Sequence, residues 1–187
     1  RYRVVRYPGY DIVADGLQEC RFTETLPAEI SRYVYAVYSC NGDQAIEGAQ
    51  SKMIVVGDPL EPPFGGIFRT EYDLYNYYTV IDNNTDRYTW FYDDGTKSAY
   101  YPYNYAAPAD DWLISPPLHL EAGKNYTLQF GTFSSNADYP ESLRVTLGRG
   151  KTPEAQRTVL LDLPQVPTMD EEGEIAVYQL SFDNNVD

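Results

Sequence analysis

The residues best placed for chemistry are Asp82-Asn83-Asn84-Thr85-Asp86. Oxygen-bearing side chains at alternate positions of a turn can converge on one hard cation, and calcium takes about six to eight oxygens. Asp82, Asn84 and Asp86 match the first half of such a loop, and Asp110 and Asp111 are candidate ligands from a neighbouring loop. The pattern is not an EF-hand. Arg87 stands where that loop needs glycine, and the distant bidentate Glu is missing. The same residues suit an ordinary Asx turn, in which Asn and Asp side chains bond the local backbone. Asp111 equally suits a cap at the start of a strand or a solvent-facing position.

Aromatic residues cluster around this loop: Tyr88, Trp90, Phe91 and Tyr92, then Tyr100, Tyr101, Tyr103, Tyr105 and Trp112. Sugar faces stack on exposed rings, and Tyr and Trp also favour protein interfaces, where they offer apolar area with a polar tip. Tyr100-Tyr101-Pro102-Tyr103-Asn104-Tyr105 is too aromatic and Pro-broken for a plain strand, so it reads as an ordered loop. Tyr101, Tyr103, Tyr105 and Trp90 are the candidate ligand-binding residues. The competing role is packing in the core or over a sheet edge, which suits Trp90 and Trp112 best.

Catalysis finds little support. Ser-His-Asp and Cys-His arrangements both need a histidine, and the single His119 lies between Leu118 and Leu120 on an expected strand, pointing outward. No G-x-S-x-G, P-loop or H-E-x-x-H pattern occurs. Acids are numerous, yet no spacing singles out a pair for glycoside hydrolysis. The chain is expected not to be an enzyme.

The elements that must hold these residues read as strands. The chain has 187 residues, with 19 Tyr, 13 Pro and 13 Gly, and no helical apolar stripe beyond about two turns. Its formal net charge of −14 argues against nucleic acid and anionic membranes as partners. No window approaches the ~20 apolar residues of a membrane helix, so no membrane insertion is expected. The opening Arg1-Tyr2-Arg3-Val4-Val5-Arg6 already reads as a strand, and the chain reads as a mature fragment of a longer protein. Cys20 and Cys40 fit no zinc site. They could form one disulfide between facing strands, or remain two buried free thiols.

Five strands are expected before a Pro- and Gly-rich break: 2–6, 10–14, 20–24, 32–39 and 49–56. Asp15-Gly16, Leu26-Pro27-Ala28-Glu29 and Asn41-Gly42-Asp43 mark the turns. The break divides the chain into a module at 1–57, a linker at 58–66 and a module at 67–187. In the second module, Trp112-Leu113-Ile114 and the alternation of Tyr126, Leu128 and Phe130 read as two strands of a half-buried antiparallel sheet, with Glu121-Ala122-Gly123-Lys124 as a turn.

The string DDWLISPPLHLEAGKNYTLQF resembles the core signature of cleaved-adhesin domains, also called choice-of-anchor J domains. These occur on secreted and surface-attached proteins of Bacteroidetes, the adhesin regions of gingipains among them. YTVIDNNTDRYTWFYDD looks like the family's opening strand, Asx-rich turn and aromatic strand. ESLRVTLGRGKTPEAQRTVLL looks like its strand, small-residue turn and short helix or loop. Residues 1–57 are similar to a fibronectin type III module from its third strand onward, through YRVVRYPGYDIVADGL, CRFTETLPAEISRYVYAVYSCNG and GAQSKMIVVG. The resemblance implies an all-β fold: a fibronectin type III-like sandwich segment, then a jelly roll whose last strands are expected to be absent. It would place Cys20 and Cys40 at one end of the first sandwich, where a cross-sheet disulfide could form.

Related cleaved-adhesin domains often bind structural calcium, so the resemblance favours Ca2+ at Asp82, Asn84, Asp86 and Asp111. It implies a secreted or cell-surface adhesion module whose partner is a glycan or a host or matrix protein. The alternative is a non-catalytic accessory region of a larger secreted protease or glycoside hydrolase, with further domains of the same parent chain as partners.

Overall fold

The computed structural model describes residues 1–42, 44–169 and 172–184. The fold is all-β, with thirteen strands and one short α-helix among these residues, and every strand pair is antiparallel. Two compact units form, Arg1–Leu118 and His119–Asp187.

The first unit is built around β3 (Ser31–Asn41), where Tyr, Val and Ala alternate across the pleat. β1 (Tyr2–Tyr7) pairs along one side of it, and β2 (Asp11–Leu17) pairs with β1. On the other side, β4 (Gln44–Gln50) pairs with the second half of β3, and β5 (Ile54–Val56) with the first. Ser51 bridges the gap between them: its amide donates to the Tyr35 carbonyl at 2.7 Å, and its hydroxyl accepts the Tyr35 amide at 2.9 Å. The cross-strand pair Val5 and Ala36 is fully buried, with Val4 and Val55 almost so. Burying a valine side chain stabilises by about 2 kcal/mol, so these residues, Val5, Ala36 and Val55 on one face and Val4 on the other, anchor the sheet.

Three local expectations change. Asp15-Gly16 is not a terminal turn; β2 runs on to Leu17. Between the pairs Tyr2↔Leu17 and Val4↔Ala14 the second strand carries one extra residue. That bulge is made possible by Gly16, whose φ is +73°. Residues 20–24 form no strand. Phe22 and Glu24 are half-buried between exposed neighbours, so the alternation is real, but the segment is held by side chains rather than a ladder. Glu24 accepts from Arg6 at 3.0 Å and from the Tyr35 hydroxyl at 2.5 Å. The span 49–56 divides between β4 and β5, and β4 begins five residues earlier, at Gln44. The turn before it opens at Gly42 (φ +61°), while Asp43 lies outside the described residues.

Segment 58–66, expected as a linker, belongs to the first unit. The Asp58 amide donates to the Ala28 carbonyl, and Leu60 forms a bridge with Leu118. Beyond it stands α1 (Glu71–Tyr77), a helix with no counterpart in the expected strands. The Asp73 carboxylate accepts the amides of Arg69 (2.8 Å) and Thr70 (2.9 Å) and so caps its first turn. Leu74 is fully buried beneath it. Next come β6 (Thr79–Asp82), β7 (Phe91–Asp93), β8 (Ser98–Tyr100) and β9 (Asp111–Ile114), paired as β6 with β9 and β7 with β8.

In the second unit β10 (Asn125–Thr132) pairs with β13 (Ala176–Asp183), so the two strands read around 112–130 have different partners. Phe130 stacks on Tyr178 and Tyr126 on Phe182 along one face of this ribbon. β11 (Leu143–Leu147) pairs with β12 (Thr158–Leu163), and a one-turn helix, Pro153–Ala155, lies between them. Gly148 is obligatory there, since a Cβ would lie 2.1 Å from the Ala155 carbonyl oxygen.

Candidate functional site

β6 and β9 bring the two acidic segments together, because Asp82 and Asp111 are direct cross-strand partners. After Asp82 the chain turns sharply, and Thr85 and Arg87 both take left-handed backbone conformations, with φ +58° and +73°. Arg87 thus adopts at the sixth loop position a conformation that glycine normally supplies. Its amide is compensated by a bond to Asp82 Oδ2 at 3.0 Å.

The loop is a network of Asx interactions. The Asp86 amide donates to Asp82 Oδ1 at 3.1 Å and to Asn84 Oδ1 at 3.3 Å. The Tyr88 amide donates to Asp86 Oδ1 at 2.8 Å. Asp86 Oδ2 accepts side-chain amides from Asn84 (3.1 Å) and Asn104 (2.7 Å). The Tyr88 amide above all, with the Asn104 and Asn84 amides adding to it, holds the Asp86 carboxyl below the usual aspartate range despite the opposing effect of burial. Asp110 completes the frame, accepting from Asn83 at 2.6 Å and from the Trp112 indole at 3.1 Å.

Asp111 is different. Its Oδ2 accepts the Tyr101 hydroxyl at 3.1 Å, while its Oδ1 and the Thr89 hydroxyl are both buried without a hydrogen bond of normal geometry. Burial pushes this carboxyl above its ordinary value and the Asp82 charge adds to the push; the Thr89 and Tyr101 hydroxyls pull against it.

These contacts decide how well the expected calcium ligands fit an ion. Asp82, Asn84, Asp86 and Asp111 do come into one neighbourhood. However, the oxygens of the first three converge on backbone and side-chain N–H groups, and the loop is held by these bonds. No three Asp, Glu, His or Cys side chains converge closely enough to hold a metal among the described residues. Only Asp111 keeps a buried carboxylate oxygen, Oδ1, without a hydrogen bond of normal geometry, and it does so directly across the ladder from Asp82.

The aromatic candidates divide in two. Trp90 and Tyr101 are half-buried with their rings 5.7 Å apart, and the Trp90 indole donates to the Asp111 carbonyl at 3.3 Å. Tyr103 and Tyr105 lie 55% and 86% exposed. Between them Asn104 turns inward. Its amide nitrogen holds Asp86, and its oxygen accepts the Ala106 amide at 2.9 Å. Two exposed rings are therefore displayed on a loop pinned at its centre to the Asx network. Asn104 was not among the expected residues, although an Asn inside a Tyr-rich, Pro-broken run carries the same Asx signal as the loop it grips.

Of the two arrangements the sequence left open, a disulfide or two buried thiols, Cys20 and Cys40 are free thiols here, the first exposed and the second half-buried. A cross-sheet disulfide would need a facing strand at 20–24, and none forms there. No helix among the described residues is long and apolar enough to cross a membrane. No family model, curated protein or solved structure matches the chain.

Proposed function

We propose that this chain is a non-enzymatic binding module of a secreted or cell-surface protein, related to the fibronectin type III and cleaved-adhesin domains it resembles. The reading takes the loop 101–107 as the contact surface and a glycan or a host or matrix protein as the partner. The observation that carries it is the display of Tyr103 and Tyr105, exposed on both sides of an Asn104 fixed to Asp86. A pinned loop loses little conformational entropy on binding, and tyrosine offers broad area at low rotamer cost. Calcium enters as a stabilising ion between Asp82 and Asp111, not as a bridge to the ligand. In its support stand the unsatisfied Asp111 Oδ1 and the repulsion between the two carboxylates.

The test is an array of glycans and matrix proteins probed with the whole chain and with its Tyr103→Ala/Tyr105→Ala variant, in calcium and in chelator. The reading expects binding that the double variant loses. Binding that survives in chelator at reduced thermal stability assigns calcium to the frame. Silence of the folded protein on every arrayed ligand would reject the binding-module reading.

A further inference from the structure

We propose that the Tyr103–Tyr105 loop docks a cationic protein segment that presents Lys or Arg side chains to the two rings. The inference rests on the binding-module reading and narrows its partner. Two independent observations meet at this loop. The first is the pair of exposed phenol rings, whose faces attract cations through their quadrupole. The second is the charge of the segment that carries them. From 82 to 111 the chain carries six carboxylates, Asp82, Asp86, Asp93, Asp94, Asp110 and Asp111, against the two cations Arg87 and Lys97. Lys97 is bonded to Asp94 at 2.6 Å. Lys52 reaches in from another segment, but its ammonium donates to the Asp82 backbone carbonyl and leaves that carboxylate to the Asx loop. Arg87 is exposed beside the loop and is the cation that would oppose the partner.

The chain already contains the pairing inferred for its partner. The Arg6 guanidinium lies 4.8 Å from the Tyr33 ring centre, with the Glu24 carboxylate 3.0 Å from the same guanidinium. Ring and carboxylate together hold that cation. At the loop, the half-buried Asp86 lies one hydrogen bond from the residue between the two tyrosines, so a carboxylate charge again stands behind exposed rings. A neutral sugar would gain stacking on the rings and nothing from the field. An anionic glycan would be repelled by a chain of net charge −14. A basic segment uses both features.

Fluorescence polarisation on the whole chain tests this with a labelled peptide of alternating Arg and Gly, a matched Glu and Gly peptide, and a neutral hexose oligosaccharide. The Arg peptide is expected to bind, to weaken as salt rises, and to bind Tyr103→Ala/Tyr105→Ala roughly tenfold more weakly. In wild-type protein the Tyr103 and Tyr105 ring resonances are expected to shift on its addition, a readout that does not depend on the variant's folding. Equal affinity for wild type and a folded double variant would overturn the proposal, since diffuse charge alone would then suffice. Preference for the oligosaccharide, insensitive to salt but lost in the double variant, would overturn it while leaving the binding-module reading in place. Failure of all three probes on wild type would overturn it too, with the array deciding the broader reading separately.

Discussion

Asp111 is the residue whose environment most constrains how the site behaves. Burial raises its folded pKa, so ionised Asp111 weakens the fold above that pKa. The penalty vanishes below the ordinary aspartate value of about 3.9. Asp111→Asn is therefore expected to raise the melting temperature at neutral pH in calcium-free buffer and to leave it unchanged near pH 3. Asp86 has the opposite sign. Its depressed pKa adds stability that is full above the ordinary value and is lost as pH falls through the folded one. Calcium between Asp82 and Asp111 is expected to raise the melting temperature of the wild type and not that of Asp111→Asn. A variant less stable than wild type in chelator at pH 7 would refute the burial argument. At this scale the sequence made the Asx loop legible, because Asp and Asn at alternate positions carry a local signal. It did not show that Asn104 locks onto Asp86 from 18 residues away, since such a bond depends on how β6 and β9 bring their flanking loops together.

Elements were legible where side-chain alternation coincides with pairing, as in β1, β3 and β10, and obscure where the two part company. Residues 20–24 alternate without a ladder because Arg6 and Tyr35 hold Glu24 by its side chain. β4 is missed over Gln44–Gly48 because an edge strand with all seven residues exposed buries nothing that could impose a pattern. Helix α1 was hidden by its length. Seven residues are too few to show a stripe or to be stable alone in water. The Thr70-x-x-Asp73 cap before Leu74 was its one readable sign. Such a helix persists only because its apolar residue is buried, and Leu74 is the one α1 residue that is. Leu74→Ala should cost about 3 kcal/mol in urea unfolding. A loss under about 1 kcal/mol would mean that the cap, and not the packing, holds α1 in place.

For the whole molecule the governing quantity is charge. At −14 the chain repels itself, and its ion pairs are too exposed to offset that. Lys97–Asp94, Lys124–Glu121 and Arg144–Asp162 all have both partners more than half exposed, where such pairs contribute little. Arg3–Asp15 and Arg6–Asp11 each have a shielded arginine and an exposed acid, and in Arg6–Glu24 both partners are shielded. Raising ionic strength from about 20 mM to about 300 mM shortens the Debye length from roughly 20 Å to roughly 6 Å, which screens diffuse repulsion more than short contacts. Two responses of opposite sign follow. The melting temperature should rise with salt, because the folded state concentrates like charge. The affinity for a basic segment at the Tyr103–Tyr105 loop should fall over the same range, because the field that steers it is screened. Calorimetry and polarisation on one set of samples measure both. A melting temperature that falls with salt would show that ion pairs outweigh repulsion. An affinity that holds constant would place the attraction in the rings alone and remove the long-range field from recognition.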